Sequence, residues 1–346
     1  MVRLRHSGSV EHWTTPSGCV SSVYVVRNSA SVGGTKTVFV MVPGNPGVVE
    51  YYAQFADAVF NAVRHQAPRL DFDVVSLSHP GHSFLDHQDT AFDGIQGTQS
   101  VLGSWNAFFG QHAARALSLR QQMDHKVELL DNIKTLYPKN TRYIIGGHSI
   151  GAYMSVELLK NRPENVIQTI LLFPTIKDIA ASKKGRVVSK VVLPGVRHLL
   201  SAILFFLRSL LVATPALLYF IVALFTGMSG DPLKITVERL LHHNSGLHAL
   251  TLGNDEMKRV KELDAETIGR HLEDIVFYYG PDDAWADESY YRDLLRVFPK
   301  ANAHLCDDDA PHDFVIHHSE LMGRKVAGWI CDKVAGMDAG KTSKSE

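Results

Sequence analysis

Cysteine is scarce in this chain: Cys19, Cys306 and Cys331 are the only three. They show neither a pairing pattern nor metal-ligand spacing, which excludes a disulfide framework and a zinc cluster and fits a reducing compartment. Net charge is lacking too, with 35 basic and 36 acidic residues. No run of arginine and lysine with interleaved aromatics occurs, so nucleic acid is not an expected partner. The stretch after Met1 is polar and has no apolar core, so no cleaved secretory signal is expected. There are no internal repeats. The 18 histidines are numerous but mostly isolated, and an isolated histidine is more often structural than a ligand.

The 346 residues suffice for one large α/β domain with an insertion, or for two domains. The informative stretch is Tyr143 to Gly151, where an apolar run meets Gly147-His148-Ser149-Ile150-Gly151 and a helical pattern follows. This is the G-x-S-x-G pattern of a nucleophile elbow. A sharp strand-to-helix turn forces the serine backbone into strain and exposes its oxygen near a helix N-terminus. Gly147 and Gly151 are required because side chains there would collide across the turn. The alternative is an ordinary glycine-rich turn.

The flanking pattern supports the elbow. Thr37 to Val42 reads as a strand buried on both faces, and Gly44-Asn45-Pro46-Gly47 follows it. Glu50 to Phe60 reads as a helix with Tyr52, Phe55, Ala56 and Val59 on one face. Further strands are expected at Phe72–Ser78, Val166–Phe173, Asp274–Gly280 and Ala303–Cys306, and an early, partly exposed one at Gly18–Arg27. Amphipathic helices are expected at Leu117–Tyr137 and Tyr291–Val297, with a last helix running to about Val334. This alternation predicts an α/β fold with a mainly parallel sheet flanked by helices, its chemistry at the carboxyl ends of the strands.

From Val187 to Phe225 the plan changes to a strongly apolar insertion, with an uncharged stretch from Ser209 to Thr226 interrupted by Pro215. It can be read as one spanning helix, as a buried cap over the site, or as a hairpin lying in a lipid surface. The last is preferred, with Arg197 and Arg208 snorkelling to head groups and Tyr219 at the interface. Pro215 should break or kink any helix there. Two short helices, Leu240–Leu252 and Glu256–Leu263, would complete the cap. The expected division is 1–180 and 266–335 for the two parts of the core, 181–265 for the cap or membrane-associating insertion, and 336–346 for a disordered tail.

A serine hydroxyl needs a histidine to take its proton and a carboxylate to fix that histidine's tautomer. The order Ser, Asp, His is available where an α/β-hydrolase would place it. Ser149 stands at the elbow, Asp283 after the penultimate strand and His312 after the last. Asp282 competes for the acid, while Asp309 and Asp313 sit in too tight a loop. His304, His317 and His318 read as structural, His79 and His82 as lying near the mouth, and His148 as packing under the elbow or lining the pocket. The oxyanion donors would be the backbone N–H groups of Asn45 and Ile150, since Pro46 has none. No cofactor and no metal is required.

On these and further residues the chain resembles the lipid droplet-associated hydrolase family, a branch of the α/β-hydrolases. The matching positions include Val42 to Gly47 with Tyr51, Tyr52 and Phe55; Ser78 to His82; the helix from Leu119 to Leu129; Gly147 to Tyr153; and Leu171 to Ile176. They continue through Phe277 to Gly280, Asp283 with Trp285, and Pro311-His312 with Phe314. The resemblance implies that Ser149, Asp283 and His312 are catalytic, Asp283 being favoured over Asp282 by its place two before Trp285. It implies a serine esterase acting on lipid esters, sterol esters among them. It also implies residence on lipid droplets and the endoplasmic reticulum at the cytosolic face, with residues 187–226 meeting the monolayer or membrane. The sequence departs from the family in an extra loop, Asp86 to Trp105, and in the detail of Val187 to Leu240. A droplet-surface or tethering protein with weak hydrolase activity is the second reading.

Overall fold

The computed structural model describes residues 7–28, 35–82, 116–211, 214–241 and 243–342. The expected extra loop at 86–105 lies outside the described residues. Eight strands form one sheet: β1 (Ser9–Thr14), β2 (Val20–Val26), β3 (Thr37–Val42), β4 (Phe72–Leu77), β5 (Arg142–His148), β6 (Val166–Leu172), β7 (Ile275–Tyr279) and β8 (Asn302–Leu305). Their order is β1-β2-β4-β3-β5-β6-β7-β8. β1 and β2 pair antiparallel with each other, as do β2 and β4, and the rest of the sheet is parallel.

The central strands β3, β4 and β5 are buried along their whole length, as an apolar run between two helical layers must be. Alternate side chains go to opposite layers. Phe39 and Met41 pack towards α1 (Ala53–Gln66) and α11 (Ser319–Thr342). Val38, Val40 and Val42 pack towards α2 (Leu119–Leu136) and α3 (Ile150–Asn161). α2 starts on a full capping box: Ser118 accepts from the Gln121 N–H and the Gln121 side chain accepts from the Ser118 N–H.

Three expectations need correction. β2 is buried rather than partly exposed, because β1, a polar stretch with no strand signature of its own, pairs along its outer edge. The cap ends in one helix, α8 (His243–Arg259), rather than in two. Gly253 and Asn254 look like a break in sequence, but the helix continues because Leu252 and Met257 are buried against the core. The last helix does not stop near Val334 but runs to Thr342, where Asp338 on its final turns meets Arg142 at 3.2 Å. The tail expected at 336–346 is therefore helical through 342.

The insertion between β6 and β7 opens with α4 (Lys183–Val191), α5 (Pro194–Leu211) and α6 (Pro215–Thr226). Pro215 occupies the first turn of α6, where its missing N–H costs nothing, and it marks the expected break, with α5 ending at Leu211 and α6 starting at Pro215. α7 (Gly230–Ile235), a π turn (Thr236–Leu240) and α8 follow. Among the described residues no single helix is long and apolar enough to cross a membrane. Two bent pairs are, by length and composition: α4 with the start of α5, bent by 75°, and α6 with the segment Gly230–Leu240, bent by 116°. Leu199, Phe206, Leu217, Phe220, Leu224 and Phe225 stand exposed, Phe225 at 83%. Arg197 lines a groove with Asn254 and Asp255 of α8, and Tyr219 donates to Glu238 at 2.7 Å.

Candidate active site

β5 delivers Ser149 at its carboxyl end. The residue has φ 54° and ψ −123°, a conformation that costs roughly 1–3 kcal/mol for a non-glycine residue. The neighbours enforce it. A Cβ on Gly147 would lie 2.5 Å from the Gly151 carbonyl oxygen, and one on Gly151 would lie 2.3 Å from that of Val42. Both clashes are with backbone, which cannot move aside, so side chains at 147 and 151 would collide across the turn.

The loop after β7 carries Asp283 and the loop after β8 carries His312. The Ser149 hydroxyl donates to His312 Nε2 at 2.9 Å, and His312 Nδ1–H donates to Asp283 Oδ2 at 2.6 Å. The other Asp283 oxygen accepts from the Trp285 N–H at 2.8 Å, which fixes the carboxylate. Asp283 is buried, whereas Asp282, Asp309 and Asp313 are exposed. Of the candidate acids, the structure thus brings only Asp283 to His312. His304 lies on the edge strand, bonded to Asn302 and stacked on Trp329. His317 and His318 occupy the turn before α11 rather than its first turn.

The two residues expected to supply oxyanion donors both lie close to the serine. Ile150 is the first residue of α3, where N–H groups have no intrahelical acceptor. Asn45 follows β3, in a loop tied down at both ends. The Gly44 N–H donates to Tyr52 Oη at 2.7 Å. Gly47 donates its N–H to His82 Nδ1 at 3.0 Å and accepts from the His79 N–H at 2.9 Å. His79 and His82 are fully buried, and burial pushes both well below the ordinary histidine range. His82 is therefore neutral, with Nδ1 free to accept.

The sequence placed His148 under the elbow without giving it a task. It is buried, and its Nε2–H donates to the His312 carbonyl at 2.7 Å while Nδ1 accepts from the Tyr52 hydroxyl at 2.6 Å. Burial and the proximity of His312 hold its pKa well below the usual value, which keeps it in the neutral tautomer this chain of bonds needs. In sequence Tyr52 belongs to an apolar stripe and to the family resemblance, and neither assigns its hydroxyl a partner. The available signal was chemical: a tyrosine on a buried face must find a partner for its hydroxyl.

Ser149 and His312 open into a cavity of about 400 Å³, walled on the core side by Tyr51 and Pro46 and on the cap side by Val188, Val192, Leu250 and Met257. An activated hydroxyl, two candidate oxyanion donors and an apolar chamber suit attack on the carbonyl of an apolar ester. Among the described residues no group of three or more His, Cys, Asp or Glu is placed to hold a metal ion.

Known proteins resemble this chain in sequence and in fold. A lipid droplet-associated hydrolase of Pongo abelii is 30% identical over 319 residues, 90% of this chain and 89% of its own. The protein of that name from Rattus norvegicus is 31% identical over 307 residues, 88% of this chain and 87% of its own. Among solved structures, a haloalkane dehalogenase variant from Bradyrhizobium elkanii superposes with a TM-score of 0.61 at 13% identity, covering 97% of this chain and 99% of its own. A putative lipase from Acinetobacter baumannii gives 0.56 at 11%, covering 96% and 93%. These two likenesses carry the α/β-hydrolase fold. The family model for lipid-droplet associated hydrolases matches residues 35–315, and the chain belongs to that family.

Proposed function

We propose that the protein is a carboxylic ester hydrolase that cleaves esters of neutral lipids, sterol esters or others, at the lipid droplet surface. The observation that carries this reading is the unbroken hydrogen-bonded line from Ser149 through His312 to Asp283, opening into an apolar cavity. Ser149 Oγ attacks the ester carbonyl carbon as its proton passes to His312 Nε2. Asp283 holds the ring and stabilises the imidazolium. The N–H groups of Asn45 and Ile150 receive the oxyanion. When the tetrahedral adduct collapses, the C–O bond breaks and His312 returns the proton to the leaving alcohol. Water, deprotonated by the same histidine, then releases the acid and regenerates Ser149.

The lipid surface enters through α5 and α6. Large exposed apolar surfaces mark interaction sites, and the exposed leucines and phenylalanines of α5 and α6 lie on the insertion that also roofs the cavity. In this reading the insertion is cap and monotopic anchor at once, docking on a droplet monolayer or on the cytosolic face of the endoplasmic reticulum. The same exposed face favours the second reading, a droplet-surface or tethering protein with weak hydrolase activity.

A fluorophosphonate probe separates the two. The hydrolase reading expects wild-type protein to label and Ser149→Ala not to. Equal labelling of both, or of neither, would remove the first reading and leave a surface or tethering role without Ser149 chemistry. Comparing the lipid content of droplets carrying wild type or Ser149→Ala would then identify the ester class.

A further inference from the structure

The loop holding Asn45 has a third tether, and it comes from the cap. Ala249, Gly253 and Glu256 fall on one side of α8 at spacings of four and three. That side faces Asn45. A Cβ on Gly253 would lie 3.5 Å from Asn45 Nδ2 and 3.3 Å from Val192 Cγ1, so the glycine sets how closely the helix approaches. Asn45 Nδ2 donates to the Ala249 carbonyl and to Glu256 Oε1, both at 2.9 Å. Two acceptors fix the amide's orientation, because only its NH₂ end satisfies both.

Glu256 is 5% exposed. A carboxyl in such a site is costly to bury, and burial pushes its pKa up to about 7. Its hydrogen-bond partner is the side chain of Asn45, and it lines the same cavity as Ser149 and His312 without joining the Ser149–His312–Asp283 line of hydrogen bonds. The oxyanion role of Asn45 uses its backbone N–H and not its side chain. The side chain is thus left to anchor the loop, and the buried carboxyl of Glu256 is what it anchors to.

We propose that Glu256 is a positioning residue. Through the Asn45 side chain it aims the Asn45 N–H at the oxyanion, so that the seating of α8 sets the oxyanion hole. This rests on the ester-hydrolase reading. The core tethers at Tyr52 and His82 hold the ends of the loop, and the cap tether holds the donor residue itself. Gln at 256 keeps an oxygen that accepts from Asn45, whereas Leu does not.

The test uses the full-length chain, a short soluble p-nitrophenyl ester and the second-order rate of fluorophosphonate inactivation, with Tm measured in parallel. Complete loss of an oxyanion donor costs about 10²–10³ in rate, so a donor left in place but poorly aimed should lower kcat by about tenfold. Glu256→Leu should show that drop in kcat and in inactivation rate, with KM changed less than about twofold, the pattern of an interaction made in the transition state. Glu256→Gln should restore kcat to within about threefold of wild type. The double variant Asn45→Ala/Glu256→Leu should be no worse than the weaker single by more than about twofold, since both remove one tether.

An unchanged kcat in Glu256→Leu, or losses that multiply in the double variant, would overturn the proposal. If Glu256→Leu does not fold, Asn45→Ala carries the test from the other end of the bond, and an unchanged kcat there is equally fatal. A wild type that neither hydrolyses nor labels overturns the ester-hydrolase reading and this proposal together. An active wild type with an indifferent residue 256 overturns this proposal alone.

Discussion

His148 connects the main chain of His312 to the loop that carries Asn45. Its Nε2–H donates to the His312 carbonyl at 2.7 Å, and on its other side the Tyr52 hydroxyl, itself bonded by the Gly44 N–H, donates to Nδ1. The main chain at His312, the His148 ring beside Ser149 and the loop of Asn45 are thus braced by one line of neutral hydrogen bonds. Bracing of this kind matters because a misplacement of about 1 Å can cost about 100-fold in rate.

Removing the middle of that line should cost stability and rate together. Tyr52→Phe keeps the packing but strands the Gly44 N–H and His148 Nδ1 in the interior. Each stranded group costs about 1–3 kcal/mol. With two groups stranded, urea unfolding should show a loss of about 2–6 kcal/mol, and kcat should fall while KM stays near its wild-type value. A Tyr52→Phe protein with unchanged stability would show that the line is not a brace.

The choice between the adjacent aspartates is testable by amide substitution. Asp283→Asn should lower kcat by about 10³–10⁴, because the amide no longer enforces the Nδ1–H tautomer of His312. Asp282→Asn, at an exposed position, should change activity little and stability by no more than about 0.5 kcal/mol. Steady-state kinetics on a soluble ester reads both. Comparable losses in the two variants would remove the assignment.

Most of this site could be read from residue order. The glycines at 147 and 151, the buried runs before them and the order Ser149, Asp283, His312 each report a local constraint, and local constraints survive in sequence. The supports could not be read, because they depend on which side chains meet across long separations. Asn45 and Glu256 are 211 residues apart, and His148 and His312 are 164 apart. β1 was missed for a related reason: an edge strand faces water and has no buried stripe to announce it. Gly253 misled outright, since a glycine that ends a helix and one that lets a helix approach its neighbour are the same letter.

The exposed apolar face yields a prediction that separates docking from chemistry. Leu224→Asp with Phe225→Asp alters two side chains that are largely in water, so folding stability should change by no more than about 1 kcal/mol. A lipid surface that buried both would lose about 1.5–3 kcal/mol for each. Partitioning onto phospholipid-coated triolein droplets should therefore weaken by about 100-fold or more, while hydrolysis of a soluble ester is kept. Undiminished droplet binding would place the docking face elsewhere.

Lys126 gives the chain a pH dependence that has nothing to do with the active site. It lies on α2, wholly buried, with the neutral His125 ring 3.5 Å away, and burial lowers its pKa from the ordinary lysine value to about 7. Between pH 7 and the unfolded lysine value near 10.5, the unfolded chain holds one more proton at this site than the native one. Stability must then rise with pH across that window, and below about pH 7 the full desolvation penalty remains. Lys126→Met fills the space without the charge. The variant should be more stable than wild type by a few kcal/mol near pH 6.5, and its advantage should shrink steadily towards pH 10. Paired urea melts at several pH values would show it. An advantage that stayed flat with pH would mean that Lys126 keeps its charge in the native protein up to the ordinary lysine value.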